Sequence, residues 1–281
     1  MSKKYNDKMS VVRTLCLTGV TIVLACCVVK ACNALMPKIA PETPAIITET
    51  DGLLEVKTAP GVTEQIKEYT GFTVSFNADT HLPNWVSWEL TADKTSGPAE
   101  RKGKRFFKDY DIKGCPAHRD YTGSGYTRGH MAPAGDMKWS EEAMTDCFTM
   151  ANMCPQLQAL NSGTWGKVED KCRQWALRDS ALIIIAGPVI NPPAPDEFIG
   201  DIEVAVPKQF FKVVLAPYAN PPRAIGFLMP QGKVYGGMQA TVVTVDSIES
   251  LTGHDFFASL PDSIETLIES KAQFHKWNNA K

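Results

Sequence analysis

Four short apolar runs govern what this chain can become: "ALIIIAGPVI" (181–190), "FFKVVLAP" (210–217), "AIGFLMP" (224–230) and "TVVTV" (241–245). Each is strand-sized, rich in branched or aromatic residues, and broken off by glycine, proline or polar residues. Upstream, "GFTVSF" (71–76) and "NWVSWEL" (84–90) alternate apolar and polar side chains, as strands do. Helical spacing is clearest over 140–147, 164–178 and 246–257, and no internal repeat or low-complexity tract interrupts the pattern. With 281 residues, 44% of them hydrophobic, the chain can bury a substantial core. The expected fold is α+β: a single sheet-rich domain over residues 66–281, with a few helices on its faces.

The first 36 residues have a different texture. A basic region ending at Arg13 precedes the nearly uncharged "TLCLTGVTIVLACCVV" and then Lys30. That stretch lies between a signal-peptide core and the roughly 20 residues that span a bilayer. Extension to Met36, with Lys30 reaching back to the interface, gives a spanning length. "VLAC", ending at Cys26, also resembles a lipoprotein processing site. A cleaved signal, a retained membrane anchor and a lipidated Cys26 all fit, and each implies an exported protein, whether periplasmic, cell-surface or membrane-anchored. Residues 37–65, with Pro37, Pro41, Pro44 and Pro60, read as a flexible tether. An exported location would let Cys115, Cys147, Cys154 and Cys172 form up to two disulfides. The Cys115-x-x-His118 spacing offers a zinc alternative, but the other cysteines supply no second ligand pair at a matching interval.

Charge limits the partners. Without the first 32 residues the chain carries 24 basic and 30 acidic side chains, which excludes a globally basic nucleic-acid binder. Residues 94–138 reverse the balance, with ten Lys and Arg against five Asp and Glu. A basic surface of that kind on an acidic protein suits a polyanion gripped at one place.

Two constellations carry chemistry. "YTRGHMAPAGDM" sets Arg128, Gly129 and His130 in a row, a cation beside a titratable imidazole. "LNSGTWGKVEDKCRQWALRD" reads as a loop entering a helix, with Trp165, Val168, Cys172 and Trp175 recurring on its core face. Glu169 and Arg173 stand four apart, acid first, the order that favours a helical ion pair. Asn161 precedes Glu169 by eight residues, roughly 12 Å along a continuous helix, so the two cannot readily ligate one small ion together.

These segments, with "MANMCPQLQALNSGTWGKVE", "GFTVSFNADTHLPNWVSWELT" and the closing "VDSIESLTGHDFFASLP", resemble the DNA/RNA non-specific endonucleases, the ββα-metal or His-Me finger nucleases. The resemblance covers about residues 71–261. It implies a central antiparallel sheet flanked by helices, in a single catalytic domain. It also implies an enzyme that hydrolyses phosphodiester bonds of DNA and RNA with magnesium, for which manganese could substitute. By position it makes His130 the general base, Asn161 the direct metal ligand, and Glu169 an acid reaching the metal through water. Asn152 falls beside the base, and Arg128, Arg173 and Arg101 become phosphate-binding arginines. Arg105 competes for the last assignment, because "RKGKRFFKD" does not align uniquely. Thr127 stands where the family has aspartate; since it neither takes the proton nor binds the metal, a retuned activity is expected, not a lost one. A phosphodiesterase of small nucleotides and a non-catalytic nucleic-acid-binding module are the alternative functions.

Overall fold

The computed structural model describes Ile47, residues 52–190 and residues 194–278. The expected export segment, its four cysteines and the proline-rich residues 37–46 lie outside the described residues. From there the chain runs β1 (Val56–Lys57), β2 (Gln65–Tyr69), β3 (Phe72–Asn77), β4 (Leu82–Thr91), β5 (Thr127–His130), α1 (Glu141–Asp146), β6 (Met153–Gln156) and α2 (Gly166–Asp179). It continues through β7 (Ala181–Val189), β8 (Phe198–Ile199), β9 (Val204–Ala205), β10 (Gln209–Ala216), β11 (Arg223–Pro230) and β12 (Val242–Val243). It then ends with α3 (Val245–Thr252), β13 (Asp255–Phe256), α4 (Asp262–Glu269) and α5 (Phe274–Asn278).

Seven strands form one sheet in the order β12-β11-β10-β7-β4-β3-β2, with antiparallel pairing throughout. Successive residues face opposite sides. Trp88, Ile184, Phe210, Val214 and Phe227 belong to one buried cluster, while Trp85, Ile183, Ile185, Phe211 and Val213 belong to a second. Both faces are therefore dry, and strands such as β7 need apolar side chains at every position. That is why residues 181–190 read as an unbroken run and not as an alternation. Helix α2 covers the first face with Val168, Cys172, Trp175 and Ala176. Val245 and Ile248 of α3, Ile268 of α4 and Phe256 of β13 cover the second.

Local chemistry sets the element ends. The Ser140 hydroxyl accepts from the Ala143 amide at the start of α1, and Thr244 does the same for Ser247 at the start of α3. Gly253, left-handed at φ 74°, ends α3 five residues before the 246–257 pattern runs out. Phe256 then joins β13.

Two expectations need correction. The tether was expected to reach residue 65, but Leu53 is buried in the second cluster and Val56 pairs with Phe256 across β1 and β13. Apolar contact and a backbone ladder hold this stretch on the domain. The expected disulfides are also absent: Cys115, Cys147, Cys154 and Cys172 are all free and buried, packed as small apolar side chains. Cys115 and His118 gather no third metal-binding group among the described residues.

Because β7 lies at the sheet's centre, Ile184→Ala should lower the unfolding free energy by about 2–5 kcal/mol in urea denaturation. A loss well below 1 kcal/mol would show that this position is not the close-packed centre.

Candidate active site

Strands β5 and β6 form a separate hairpin, with Gly129 opposite Cys154 and His130 opposite Met153. A Cβ at Gly129 would run into the Gln156 side chain, so any larger residue there would have to displace it. The hairpin forms part of the wall of a cleft of about 1030 Å³, which Arg101, Arg128, His130, Asn161, Glu169 and Arg173 also line. Of the two candidate arginines, Arg101 lines this cleft and Arg105 does not.

His130 is 8% exposed, edge-on to Phe148 at 5.1 Å and tilted against Phe106 at 5.6 Å between ring centroids. Its carbonyl accepts from Trp165 Nε1 at 3.2 Å. Nε2 is shut away without a hydrogen-bond partner, which leaves Nδ1 as the ring nitrogen for the cleft. Burial, assisted by the positive charge of Arg101, pushes the imidazole down to about 3. The ring is therefore neutral at physiological pH, in the form that accepts a proton.

Asn161 and Glu169 share the cleft because the helix between them is not continuous. A helical turn over Gln158–Leu160 leads into a wider π-type turn over Asn161–Trp165, kinked at Gly163, before α2 begins at Gly166. Such wider turns recur at functional sites. The stretch from Asn161 to Glu169 is therefore not a straight helix, although both residues line the cleft. Asn161 Nδ2 donates to Thr127 Oγ1 at 2.9 Å, and the Thr127 hydroxyl donates to the Gln156 carbonyl at 2.7 Å. This relay fixes the amide and leaves Asn161 Oδ1 free to bind a ligand. Glu169 has no hydrogen bond or ion pair among the described residues, and burial raises its carboxyl to about 7 against the opposing charge of Lys212. An amide oxygen and an unpaired carboxylate on one wall suit a hard divalent cation, which takes oxygen ligands and keeps much of its water.

The expected Glu169–Arg173 pair does not form. Arg173 donates from Nη1 to Asp136 Oδ1 at 2.7 Å and from Nη2 to Asp170 Oδ1 at 2.5 Å. Asp136 is 2% exposed and also accepts from Trp88 Nε1 at 3.0 Å, so a buried carboxylate takes the guanidinium from the half-buried Glu169. Arg128 is likewise anchored at one end: Nη2 donates to the His118 carbonyl at 2.6 Å and to Thr122 Oγ1 at 3.1 Å, while the guanidinium lies over Phe106 and Tyr121.

Asn152, expected to be catalytic beside the base, is completely buried and spends its amide on backbone. Oδ1 accepts from the Ala132 amide, and Nδ2 donates to the Ala132 and Cys147 carbonyls, each at 2.9 Å. It stitches the chain behind His130 and cannot reach a bound molecule. In the sequence Asp136 and Trp88 show no role in the site, since an acid after "MAPAG" and a tryptophan in an alternating strand look ordinary, and Trp165 reads there only as a core residue.

The His130 ring protons should show no NMR titration between pH 8 and pH 5, and Arg101→Met should move the midpoint upward. A midpoint near the ordinary 6.5 would contradict this burial. The sign follows from a lowered folded value: the stability contribution is full above pH 6.5 and is lost as pH falls from there towards 3.

The sequence profile of the DNA/RNA non-specific endonucleases matches residues 50–263. Nuclease EXOG, mitochondrial, of Mus musculus is 33% identical over 231 residues, 76% of this chain and 62% of that protein, so the chain spans about three fifths of this relative's length. The Mitochondrial nuclease of Saccharomyces cerevisiae is 32% identical over 73% of this chain and 69% of its own. The Nuclease of Nostoc sp. is 34% identical over 71% and 76%. A solved structure titled as the EndoG/EndoGI complex, on the mechanism of EndoG inhibition, aligns with a TM-score of 0.67 at 25% identity, covering 71% of this chain and 88% of that one. The expectation of an exported protein is corrected by these findings. The mouse and yeast relatives are named as mitochondrial nucleases, and among the described residues no helix is long and apolar enough to cross a membrane. A basic start before an apolar stretch is too general a signal to fix a compartment. The hairpin of β5 and β6 and the following α2 make up the ββα unit of the ββα-metal fold. The profile match and the shared fold together place this chain in the family of DNA/RNA non-specific endonucleases.

Proposed function

We propose that this protein is a magnesium-dependent, sugar-non-specific endonuclease that hydrolyses phosphodiester bonds of DNA and RNA, with manganese able to replace magnesium. The observation that carries the reading is the meeting, in one open cleft, of a neutral buried imidazole, an oriented amide oxygen, an unpaired carboxylate and three arginines.

The roles follow from the positions. His130 Nδ1 takes a proton from the attacking water; burial and, less strongly, Arg101 keep the ring neutral at the cost of basicity, and an anionic phosphate bound beside it would raise that basicity again. Asn161 Oδ1 would hold the cation directly and Glu169 through its water shell. When bound, the ion supplies positive charge beside the departing 3′ oxygen. Arg101 reaches the phosphate from an exposed position. Arg128 and Arg173 present the guanidinium donors left over from their anchoring bonds. Contacts of this kind address the phosphate backbone and carry no sequence information, which accounts for cleavage without base preference.

Plasmid DNA and a structured RNA should both be cut in magnesium and spared in chelator. His130→Ala should slow turnover by about 10²–10⁴-fold while nucleic-acid binding survives. Equal cleavage by that variant would remove the histidine mechanism. At Thr127, valine deletes the relay to Asn161 and should raise the magnesium needed for half-maximal rate by about 10–100-fold, whereas serine should not. Identical metal titrations for wild type and Thr127→Val would sink the orienting role.

A further inference from the structure

Strand β10 carries a lysine where the core calls for an apolar side chain. Lys212 is 1% exposed, between Phe210 and Val214 on the sheet face that packs against α2. Its Nζ has no hydrogen-bond partner. It lies 4.3 Å from the ring centre of Trp165 and 4.9 Å from that of Trp88, so two indole faces clasp the ammonium. Taking an ammonium from water without hydrogen bonds is costly, and a methionine would fill the same space at no such cost. Packing alone gives no reason for the charge.

What surrounds the charge supplies one. Burial lowers the Lys212 pKa; Glu169 and Cys172 from α2 and Asp136 from the turn after His130 oppose that fall, and Arg173 from α2 adds to it. Asp136 has its own cation in Arg173, at 2.7 Å, while Glu169 has no ion pair among the described residues. Lys212 therefore completes a set of two carboxylates and two cations. The clasping indoles also reach outward: Trp88 Nε1 donates to Asp136, which holds Arg173, and Trp165 Nε1 donates to the carbonyl of His130. One cation thus touches both rings whose edges support two arms of the cleft, and stands as counter-charge to a third.

We propose that Lys212 is a positioning residue for the phosphodiester-cleaving site: from beneath the cleft floor it balances Glu169 and braces Trp88 and Trp165, through which Arg173 and the His130 backbone are held. The proposal rests on the nuclease reading above.

The test compares the wild type with Lys212→Met, Glu169→Gln and the double variant on plasmid DNA at saturating magnesium, with thermal unfolding measured in chelator. Lys212→Met should unfold at the wild-type temperature or above, because the cost of burying an ammonium without hydrogen bonds outweighs the counter-charge it gives the half-buried Glu169. Its kcat should still fall by about tenfold or more, with KM for DNA little changed. In the Glu169→Gln background the same change should cost much less, because the two groups act as one unit. A merely structural lysine would show the reverse, a lower unfolding temperature with unchanged kcat per folded molecule, and that overturns the proposal. So does a full, additive loss in the double variant. Should Lys212→Met fail to fold, Trp88→Phe and Trp165→Phe keep the ring faces and delete only the indole donors. Slower cleavage in these variants supports the bracing arms, and wild-type kinetics in both overturns them. An inert wild type defeats the nuclease reading and this proposal with it, whereas an active wild type matched by Lys212→Met defeats this proposal alone.

Discussion

The buried carboxylate of Asp136 is the constraint around which the cleft is arranged. Burial raises its pKa, the Arg173 guanidinium opposes that rise, and Trp88 closes the second oxygen. Those two bonds tie three separate pieces of chain: the turn after His130, helix α2 and strand β4 of the main sheet. The turn cannot move without stranding a charge inside the protein, so the histidine that precedes it is held by electrostatics as well as by the β5–β6 ladder. The closeness extends to Gly135, where a Cβ would press against the Arg173 guanidinium. A glycine beside the acid lets the arginine reach it.

Much of this was open to reading from the residues, and the exceptions share a cause. The strands showed because a sheet with two dry faces needs apolar side chains at consecutive positions, as in "ALIIIAGPVI". Trp165, Val168, Cys172 and Trp175 showed as a core stripe because three of them lie in α2 and the fourth immediately precedes it. Pairing choices did not show. Helical spacing says that Glu169 and Arg173 can meet, but whether they do depends on Asp136, 37 residues upstream, whose burial no local pattern reveals. Nor can spacing foresee the break at Gly163 that brings Asn161 and Glu169 to one cleft. Lys212 is hidden for a similar reason, since a single charge inside "FFKVVLA" reads as the solvent side of an alternating strand.

Thr127 shows how a departure from a family pattern is absorbed. The hydroxyl accepts from Asn161 and donates to the Gln156 carbonyl, a two-way role that aspartate, having no proton to give, could not fill in the same position. The threonine is thus matched to its own neighbours, in particular to a carbonyl that a carboxylate would repel. Thr127 lines the same cleft as His130 and Asn161, and its hydrogen bonds say what it does there.

The four buried thiols carry a consequence for where such a molecule can persist. Burial raises Cys115 to about 11 and Cys147 and Cys172 to about 12, and raises Cys154 as well. Oxidation and disulfide exchange proceed through the thiolate, which these groups scarcely populate at neutral pH. With no cross-link among them to be reduced and almost no thiolate to be oxidised, the covalent framework of the described domain is indifferent to redox potential. Glutathione and peroxide alike would find little to react with in its core.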